Sequence, residues 1–231
     1  MDTFATWRAS PPPWSAALGV PPHVYALSAG WELTPDGGRR DLCSEAAYRL
    51  DPTPSAAASP IVVAAPSTDR SPWLDRPLTI LFDLPTALAP LDWLRLDTGR
   101  LVICTDDQAT CFTFVHSTFD GRWANVDARP DYLGGDESWP ALAQATLHLS
   151  PHSRSPLSAA WQVCEEGMSQ LGGFPTWWSA AAYPTCPGCR RHMRFVGQLE
   201  TSELLGEPAE GLYYAFVCAD CRFAATGYQQ T

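Results

Sequence analysis

The sequence contains no lysine, so all 15 of its basic side chains are arginines. With 25 acidic residues the formal net charge is −10. A chain this acidic is poorly suited to a phosphate backbone, which argues against nucleic acid as its main ligand. Together with the abundance of alanine and proline, the missing lysine indicates a compositional bias of the source genome, and we attach no function to it.

Long apolar runs are also missing. No stretch is long enough to cross a bilayer, and residues 1–19 lack the basic region and apolar core of a signal peptide. We therefore expect a cytoplasmic protein in a reducing environment, with no membrane partner. In that environment, paired cysteines are more typical of metal sites than of disulfides.

Signatures of common enzymes are missing as well. The chain has no Ser-His-Asp signature, no phosphate-binding loop and no HExxH motif. Its adjacent acid pairs, Asp106-Asp107 and Glu165-Glu166, are more typical of solvated turns or helix faces than of catalytic dyads. An enzyme with an unrecognised active site remains the alternative interpretation, and a perturbed carboxylate in a deep pocket between two lobes would favour it.

What the chain does contain is two CxxC pairs, Cys186/Cys189 and Cys218/Cys221, with 28 residues between them. Each pair can bring two thiolates to one ion, so together they predict a tetrahedral four-cysteine site, with zinc as the expected metal. Four protein ligands leave no position for water, so the zinc is expected to be structural. The alternatives are two disulfides or four ordinary buried thiols. We interpret the other cysteines as free, apolar thiols: Cys43, Cys104, Cys111 and Cys164.

The pattern of apolar residues predicts a mainly β protein of the α+β type. Hydrophobic residues make up 45% of the chain and charged residues 17%, which suits a packed core. We predict two β-rich lobes with a few short helices, including one over 136–149 and one over 158–168. The predicted division is an N-terminal lobe at 1–130, a helical connector at 131–169 and a C-terminal zinc-binding lobe at 170–231.

Within the C-terminal lobe, 193–199 and 212–218 are expected to pair as strands and hold the cysteine pairs at one end, like a zinc ribbon. Three arginines lie beside the first pair: Arg190, Arg191 and Arg194. They form either a solvated face or a set of cations that offsets thiolate charge. His116, alone in a predicted strand, is interpreted as a structural residue rather than a ligand.

Part of this lobe resembles a known family. The segments concerned are Leu171-Gly-Gly-Phe-Pro-Thr-Trp-Trp178, the first CxxC, and Met193-Arg-Phe-Val-Gly-Gln-Leu199, followed by the second CxxC. They resemble the YwqG-like bacterial proteins of unknown function and the related programmed-cell-death-protein-2 family. The resemblance covers only 170–231. It implies a β-rich protein without a known catalytic centre, similar to chaperones or adaptors for a ribosomal protein, or to bacterial immunity proteins. The first half departs from the family, because it lacks the expected paired cysteines.

We therefore predict a non-enzymatic, zinc-stabilised protein that binds another protein as a chaperone, adaptor or immunity protein. Its negative charge favours a basic partner. Trp177, Trp178 and Gln198 are the candidate partner-binding residues, since exposed aromatic side chains often form binding hot spots. In a strand, adjacent tryptophans face opposite sides, so one should be buried. The alternative is that both tryptophans pack against neighbouring loops.

Overall fold

The structure is a computed structural model, and it describes residues 31–33, 39–41, 45–52, 60–85, 87–95, 99–106, 109–110, 113–126, 128–131, 142–151, 168–179, 181–202 and 211–230. Its strands are β1 (Trp31–Leu33), β2 (Arg39–Asp41), β3 (Ala47–Asp51), β4 (Pro60–Ser71), β5 (Arg76–Pro85), β6 (Arg100–Thr105), β7 (Val115–Thr118), β8 (Ala145–Leu149), β9 (Gln170–Gly172), β10 (Arg194–Glu200), β11 (Gly211–Cys218) and β12 (Phe223–Gln230). A short 3-10 turn covers Ala89–Leu91.

Ten of these strands form one antiparallel sheet, in the order β6-β5-β4-β8-β3-β9-β10-β11-β12-β7, while β1 and β2 form a separate hairpin. The two end strands of the large sheet approach each other. The Val102 amide donates to the Phe119 carbonyl at 2.9 Å, and the Thr226 hydroxyl donates to the Cys104 carbonyl at 3.2 Å. The sheet therefore curves until it almost closes on itself. The mainly β prediction is confirmed.

The prediction of two separate β lobes is wrong. Strand β3 pairs with β9, and β7 pairs with β12, so hydrogen bonds join the range 1–130 to the range 170–231 at two places. The residue ranges 1–130, 131–169 and 170–231 stay a prediction about folding units.

The helix predicted over 136–149 is also wrong where the structure describes it, because 145–149 is strand β8. Leu147 and Leu149 are buried two residues apart, and β8 pairs with β4 and β3. Apolar residues four apart lie on one face of a helix and also on one face of a strand, so this spacing does not distinguish the two. The segment forms a strand because it pairs with a strand on each side. The helix predicted over 158–168 lies outside the described residues, apart from Met168. No helix among the described residues has the length and apolar character needed to cross a membrane.

The sheet packs a core against each of its two faces, because alternate residues of a strand point to opposite sides. The inner core lies on the concave face and is mostly aliphatic; it comprises Leu50, Ile61, Val63, Ala64, Leu81, Phe82, Leu84, Leu88, Leu91, Leu94, Leu101, Ile103, Phe119, Leu147, Leu149, Leu171, Val196, Leu199, Ala215, Val217 and Ala224. The outer core lies over β10–β12 and is mostly aromatic; it comprises Met168, Trp177, Cys186, Met193, Phe195, Leu212, Tyr214, Phe216 and Ala225. The metal candidates belong to the outer core.

Candidate metal centre

The four cysteines of the two CxxC pairs come together at one end of β10–β12. The sulfur atoms of Cys186, Cys189, Cys218 and Cys221 all lie within 4.8 Å of one another. Cys186 is buried and the other three are half-buried. The antiparallel pairing of β10 with β11 brings them together, since it sets Arg194 opposite Val217, next to Cys218. This pairing confirms the predicted hairpin, and the cluster can hold a metal ion such as zinc.

The two pairs sit in matching turns. The amide of Arg190 donates to the Cys186 carbonyl at 2.9 Å, and the amide of Arg222 donates to the Cys218 carbonyl at 2.9 Å. Both arginines adopt positive φ values, 61° and 59°, which only a few per cent of non-glycine residues do. Each CxxC is thus followed by an arginine whose backbone is in the left-handed conformation. This conformation turns the chain away and leaves both sulfurs of the pair on one side.

Gly188 lets the two turns approach each other. A Cβ atom at this position would lie 3.0 Å from the Cys221 sulfur and 3.2 Å from the Cys221 Cβ. Most real Cβ contacts are longer, so a larger residue would push the second turn away. The sequence predicted turn chemistry for Pro187-Gly188, and the structure adds close approach as a reason for the glycine.

One arginine of the predicted basic flank acts on the thiols. Hydrogen bonds from the backbone and the side chain of Arg191 lower the pKa of Cys189 to about 6. The Arg191 guanidinium also forms an ion pair with Asp220, which lies between the cysteines of the second pair. Arg191 therefore connects the two turns and favours the thiolate form of Cys189.

Burial acts in the opposite direction on the second pair. It raises the pKa of Cys218 to about 12, with a further contribution from the neighbouring thiols, and it raises the pKa of Cys221 as well. Thiolates this close repel one another, so they are not all ionised at neutral pH without a cation among them. A divalent metal supplies that positive charge, and its binding releases the thiol protons.

The remaining candidates near the site have structural surroundings. Arg194 pairs with Glu45 at 2.9 Å and lies over the Trp93 ring at 3.9 Å, away from the thiols. His116 lies 3.3 Å from the Thr185 carbonyl through Nε2, and its backbone amide donates to Asn125. Its interpretation as a structural residue agrees with these contacts.

The other cysteines do not join the cluster within the described part of the chain. Cys104 is buried on β6, and burial raises the pKa of its thiol to about 12, which fits the apolar role predicted for it. Cys43, Cys111 and Cys164 lie outside the described residues.

Trp177 is the centre of the outer core. It is 1% exposed, and its ring lies 4.8 Å from that of Tyr214 and 5.2 Å from that of Tyr183. Trp178 is half-buried and Gln198 is fully buried. One tryptophan of the pair is therefore buried, as predicted, although the two lie in a loop and not in a strand. Contact with a partner stays a prediction for all three residues, and Trp178 is the one with accessible surface.

Gln198 has partners within the chain. Its carbonyl oxygen accepts the Thr176 amide at 2.8 Å, and its amide nitrogen donates to the Met168 carbonyl at 2.8 Å. The same loop is held from three further strands. Gln170 on β9 donates to the Phe174 carbonyl, Tyr214 on β11 donates to the Thr176 carbonyl, and Gln229 on β12 accepts the Trp178 and Ser179 amides. Four neighbouring strands thus each contribute one polar side chain to the segment 173–179.

A bulge in β10 places Gln198 on the outer face. Phe195 pairs with Phe216 and Gly197 pairs with Ala215, so Val196 is an extra residue in the ladder. Phe195 and Gln198 are three apart and would face opposite sides of a regular strand, but the extra residue puts both outside. The spacing of Met193, Phe195 and Gln198 in the resembling motif therefore has a physical basis. The sequence reasoning missed Gln170, Tyr214 and Gln229, because no spacing connects them to the loop.

A known protein is similar to this chain over its whole length. The uncharacterized protein YpfL of Salmonella typhimurium (strain LT2) is 37% identical over 242 aligned residues, which cover 100% of this chain and 55% of YpfL. The chain thus spans about half the length of this curated relative. No protein-family profile matches the chain, and no solved structure matches it. The resemblance to the YwqG-like family therefore stays an interpretation of the motifs. What the comparison establishes is that this chain is a homologue, over its whole length, of the uncharacterized protein YpfL.

Proposed function

We propose that the chain is a non-enzymatic protein-binding protein of the chaperone, adaptor or immunity type, stabilised by a structural zinc ion. The observation that carries the proposal is the cluster of four sulfurs within 4.8 Å of one another. Four cysteine ligands fill a tetrahedral zinc site, so the metal has no open position at which to activate water. The expected role of the ion is to hold the two turns and the outer core together.

The distribution of charge supports a basic partner. The described residues contain equal numbers of arginines and carboxylates, thirteen each, so the net charge of −10 belongs to the remaining segments. Within the described residues, six ion pairs join arginines to carboxylates. The excess negative charge therefore lies in segments other than the described residues, and charge of this sign favours fast, salt-dependent association with a basic protein.

The resemblance to YwqG-like proteins supports the same proposal, because that family has no known catalytic centre. A cytoplasmic location remains part of the proposal. Trp178 is the proposed anchor for a partner, since it lies in the loop 173–179 and its side chain is only half-buried.

Metal content tests the first part of the proposal. The purified full chain should contain one zinc ion per molecule by atomic emission, and a chelator strong enough to remove it should make the chain unfold at lower temperature. A chain without bound metal, or one whose stability does not respond to metal removal, would contradict a structural zinc site.

Capture of a partner tests the second part. The tagged, zinc-loaded chain should retain a basic protein from host extract at low salt and release it at high salt. Trp178→Ala should reduce capture, while Trp73→Ala serves as a control, because Trp73 is also half-buried but packs against Trp123 at the β4–β5 turn. Equal loss with both variants would argue against Trp178 as the anchor.

A further inference from the structure

A cleft lies where the nearly closed sheet meets the second cysteine turn. It has a volume of about 580 Å³, and it is lined by Arg100, Val102, Thr118, Phe119, Asp120, Cys221, Arg222 and Phe223. The first five come from the seam between β6 and β7, and the last three follow the end of β11. The cleft therefore lies beside the cysteine cluster, with which it shares Cys221, and it includes no residue of the loop 173–179.

The floor of the cleft is apolar. Phe119 is buried, while Val102 and Phe223 are half-buried and offer carbon surface to the opening. The floor has the character of a ligand site, in which apolar side chains supply most of the contact and a few polar groups fix orientation.

The rim carries three charged side chains, and two of them are already neutralised by carboxylate or guanidinium partners. Arg100 bonds to Asp83 through two nitrogens, and Asp120 pairs with Arg122 at 3.0 Å. Arg222 differs, because its side chain makes no hydrogen bond or ion pair with any residue that the structure describes. Its guanidinium carbon lies 5.8 Å from the centre of the Phe119 ring, which directs it over the floor.

We infer that this cleft binds a single carboxylate that is carried next to an apolar group. The carboxylate would bond to the Arg222 guanidinium, and the apolar group would cover Val102, Phe119 and Phe223. Guanidinium groups match carboxylates in shape and can donate two parallel hydrogen bonds.

The neighbouring metal cluster selects against more highly charged ligands. With the proposed zinc bound, four thiolates and one divalent ion would carry two net negative charges, and Cys221 forms part of the cleft wall. That wall repels a doubly charged phosphate monoester more strongly than a singly charged carboxylate, and one carboxylate matches one guanidinium. Two sources offer this chemistry: the free C-terminus of a peptide with an apolar last residue, and a small aryl or alkyl acid.

The experiment uses the zinc-loaded full chain and amide NMR titrations with three probes: acetyl-Gly-Phe as the free acid, its C-terminal amide, and 3-phenylpropanoate. We expect saturable shifts at 118–121 and 221–223 with one or both acids, with a Kd in the millimolar range or below, and binding of the amide at least about fivefold weaker. Binding of the peptide acid alone identifies a chain terminus as the source, and binding of 3-phenylpropanoate alone identifies a small acid.

Arg222→Asn should weaken acid binding about fivefold, because asparagine tolerates positive φ and removes the charge. The matched control is Arg190→Asn, which makes the same change at the equivalent position of the other turn, outside the cleft. Zinc content is measured for both. If Arg222→Asn loses zinc, Arg100→Gln provides the test at the opposite rim. It leaves the Asp83 carboxylate without its guanidinium partner beside the cleft, so repulsion should weaken binding of the acids. Absence of saturable shifts, equal binding of the amide, or equal weakening by Arg190→Asn would overturn the inference.

Discussion

The inner and outer cores differ in how they are built, although β10, β11 and β12 contribute to both. The inner core gathers aliphatic residues from nine strands of the sheet, and it needs only the alternation of each strand to form. The outer core covers three strands, and it is formed by stacked aromatic rings, the four cysteines and a loop held by buried amides. The inner core thus depends on closure of the whole sheet, whereas the outer core depends on a small number of directional contacts.

This difference predicts how each core fails. Loss of one aliphatic contact in the inner core leaves a cavity that its neighbours partly fill. Loss of one directional contact in the outer core leaves a buried polar group or a thiolate without its partner. A small movement of the neighbouring residues does not supply a new partner for that group. The following variants test that contrast, from the largest expected effect to the smallest.

Cys218→Ser should have the largest effect. Removal of one ligand opens the site and releases the metal, and zinc binding to small peptides provides about 10–16 kcal/mol of apparent free energy. Hydrogen exchange should rise more at 171–230 than in β4–β6, with zinc content measured on the same sample. Cys104→Ser is the control, because its thiol is buried on β6 away from the cluster, and it should keep the metal. Equal exchange across both regions would show that the two cores unfold as one unit.

Gln198→Leu should come next. It leaves the buried Thr176 amide and Met168 carbonyl without their partners, which costs about 2–4 kcal/mol for the two groups. The measurement is the free energy of unfolding in urea, and zinc content should not change. Gln230→Leu is the control at an exposed position of β12, where a change of less than about 0.5 kcal/mol is expected. A loss of stability no larger than that of the control would contradict the role of the amide.

Gly188→Ala should have a smaller effect that is confined to the metal centre. The added methyl group would press on Cys221 at 3.0–3.2 Å, so the second turn must shift by a few tenths of an ångström. We expect metal affinity to fall by about tenfold, with the inner core unchanged, as measured by competition with a chromogenic chelator. Gly99→Ala is a useful comparison, since the space beside Gly99 is open but its φ of 68° is strained for alanine. Unchanged affinity in Gly188→Ala would show that the turns have room to separate.

Arg191→Gln should produce the smallest effect, visible as a shift in pH dependence. Arg191 lowers the pKa of Cys189 to about 6, so this thiol loses its proton readily when metal binds. The backbone amide at 191, which makes the larger contribution, is kept in this variant, and only the side-chain hydrogen bond is lost. The pKa of Cys189 therefore rises in part, protons compete more strongly, and the pH at which half the zinc is released moves upward. Arg190→Gln is the control, and it should leave that pH unchanged. A shift in the opposite direction would contradict the assignment of Arg191.

Some of this arrangement could be predicted from local sequence. The two CxxC pairs identify the cluster, because a two-residue spacing brings both sulfurs of a pair to one side. The strands at Arg100–Thr105 and Gly211–Cys218 follow from short apolar runs with turn signals at their ends. The roles of Arg190 and Arg222 could have been inferred as well, since the two turns repeat the same Cys-x-x-Cys-Arg sequence.

The rest depends on contacts between residues that are distant in sequence. The sequence of β8 has helical spacing, but the segment forms a strand because β3 and β4 pair with it. From the sequence alone, Gln198 is interpreted as a partner-binding residue. The bulge at Val196 and the hydrogen bond to the loop 173–179 show that its side chain is buried and bonded within the chain. The single, nearly closed sheet needs pairing of β7 with β12, for which neither strand carries a local signal.

That last pairing has a consequence for synthesis of the protein on the ribosome. Strand β7 ends at Thr118 and its partner β12 begins at Phe223. About a hundred further residues must therefore be synthesised before β7 can pair with β12. During that interval the backbone amides and carbonyls of β7 that later bond to β12 are unpaired. They form an exposed strand edge to which strands of other nascent chains can add. Production of this protein should therefore be limited by aggregation of incomplete nascent chains. Slower translation would prolong the time for which the β7 edge is exposed.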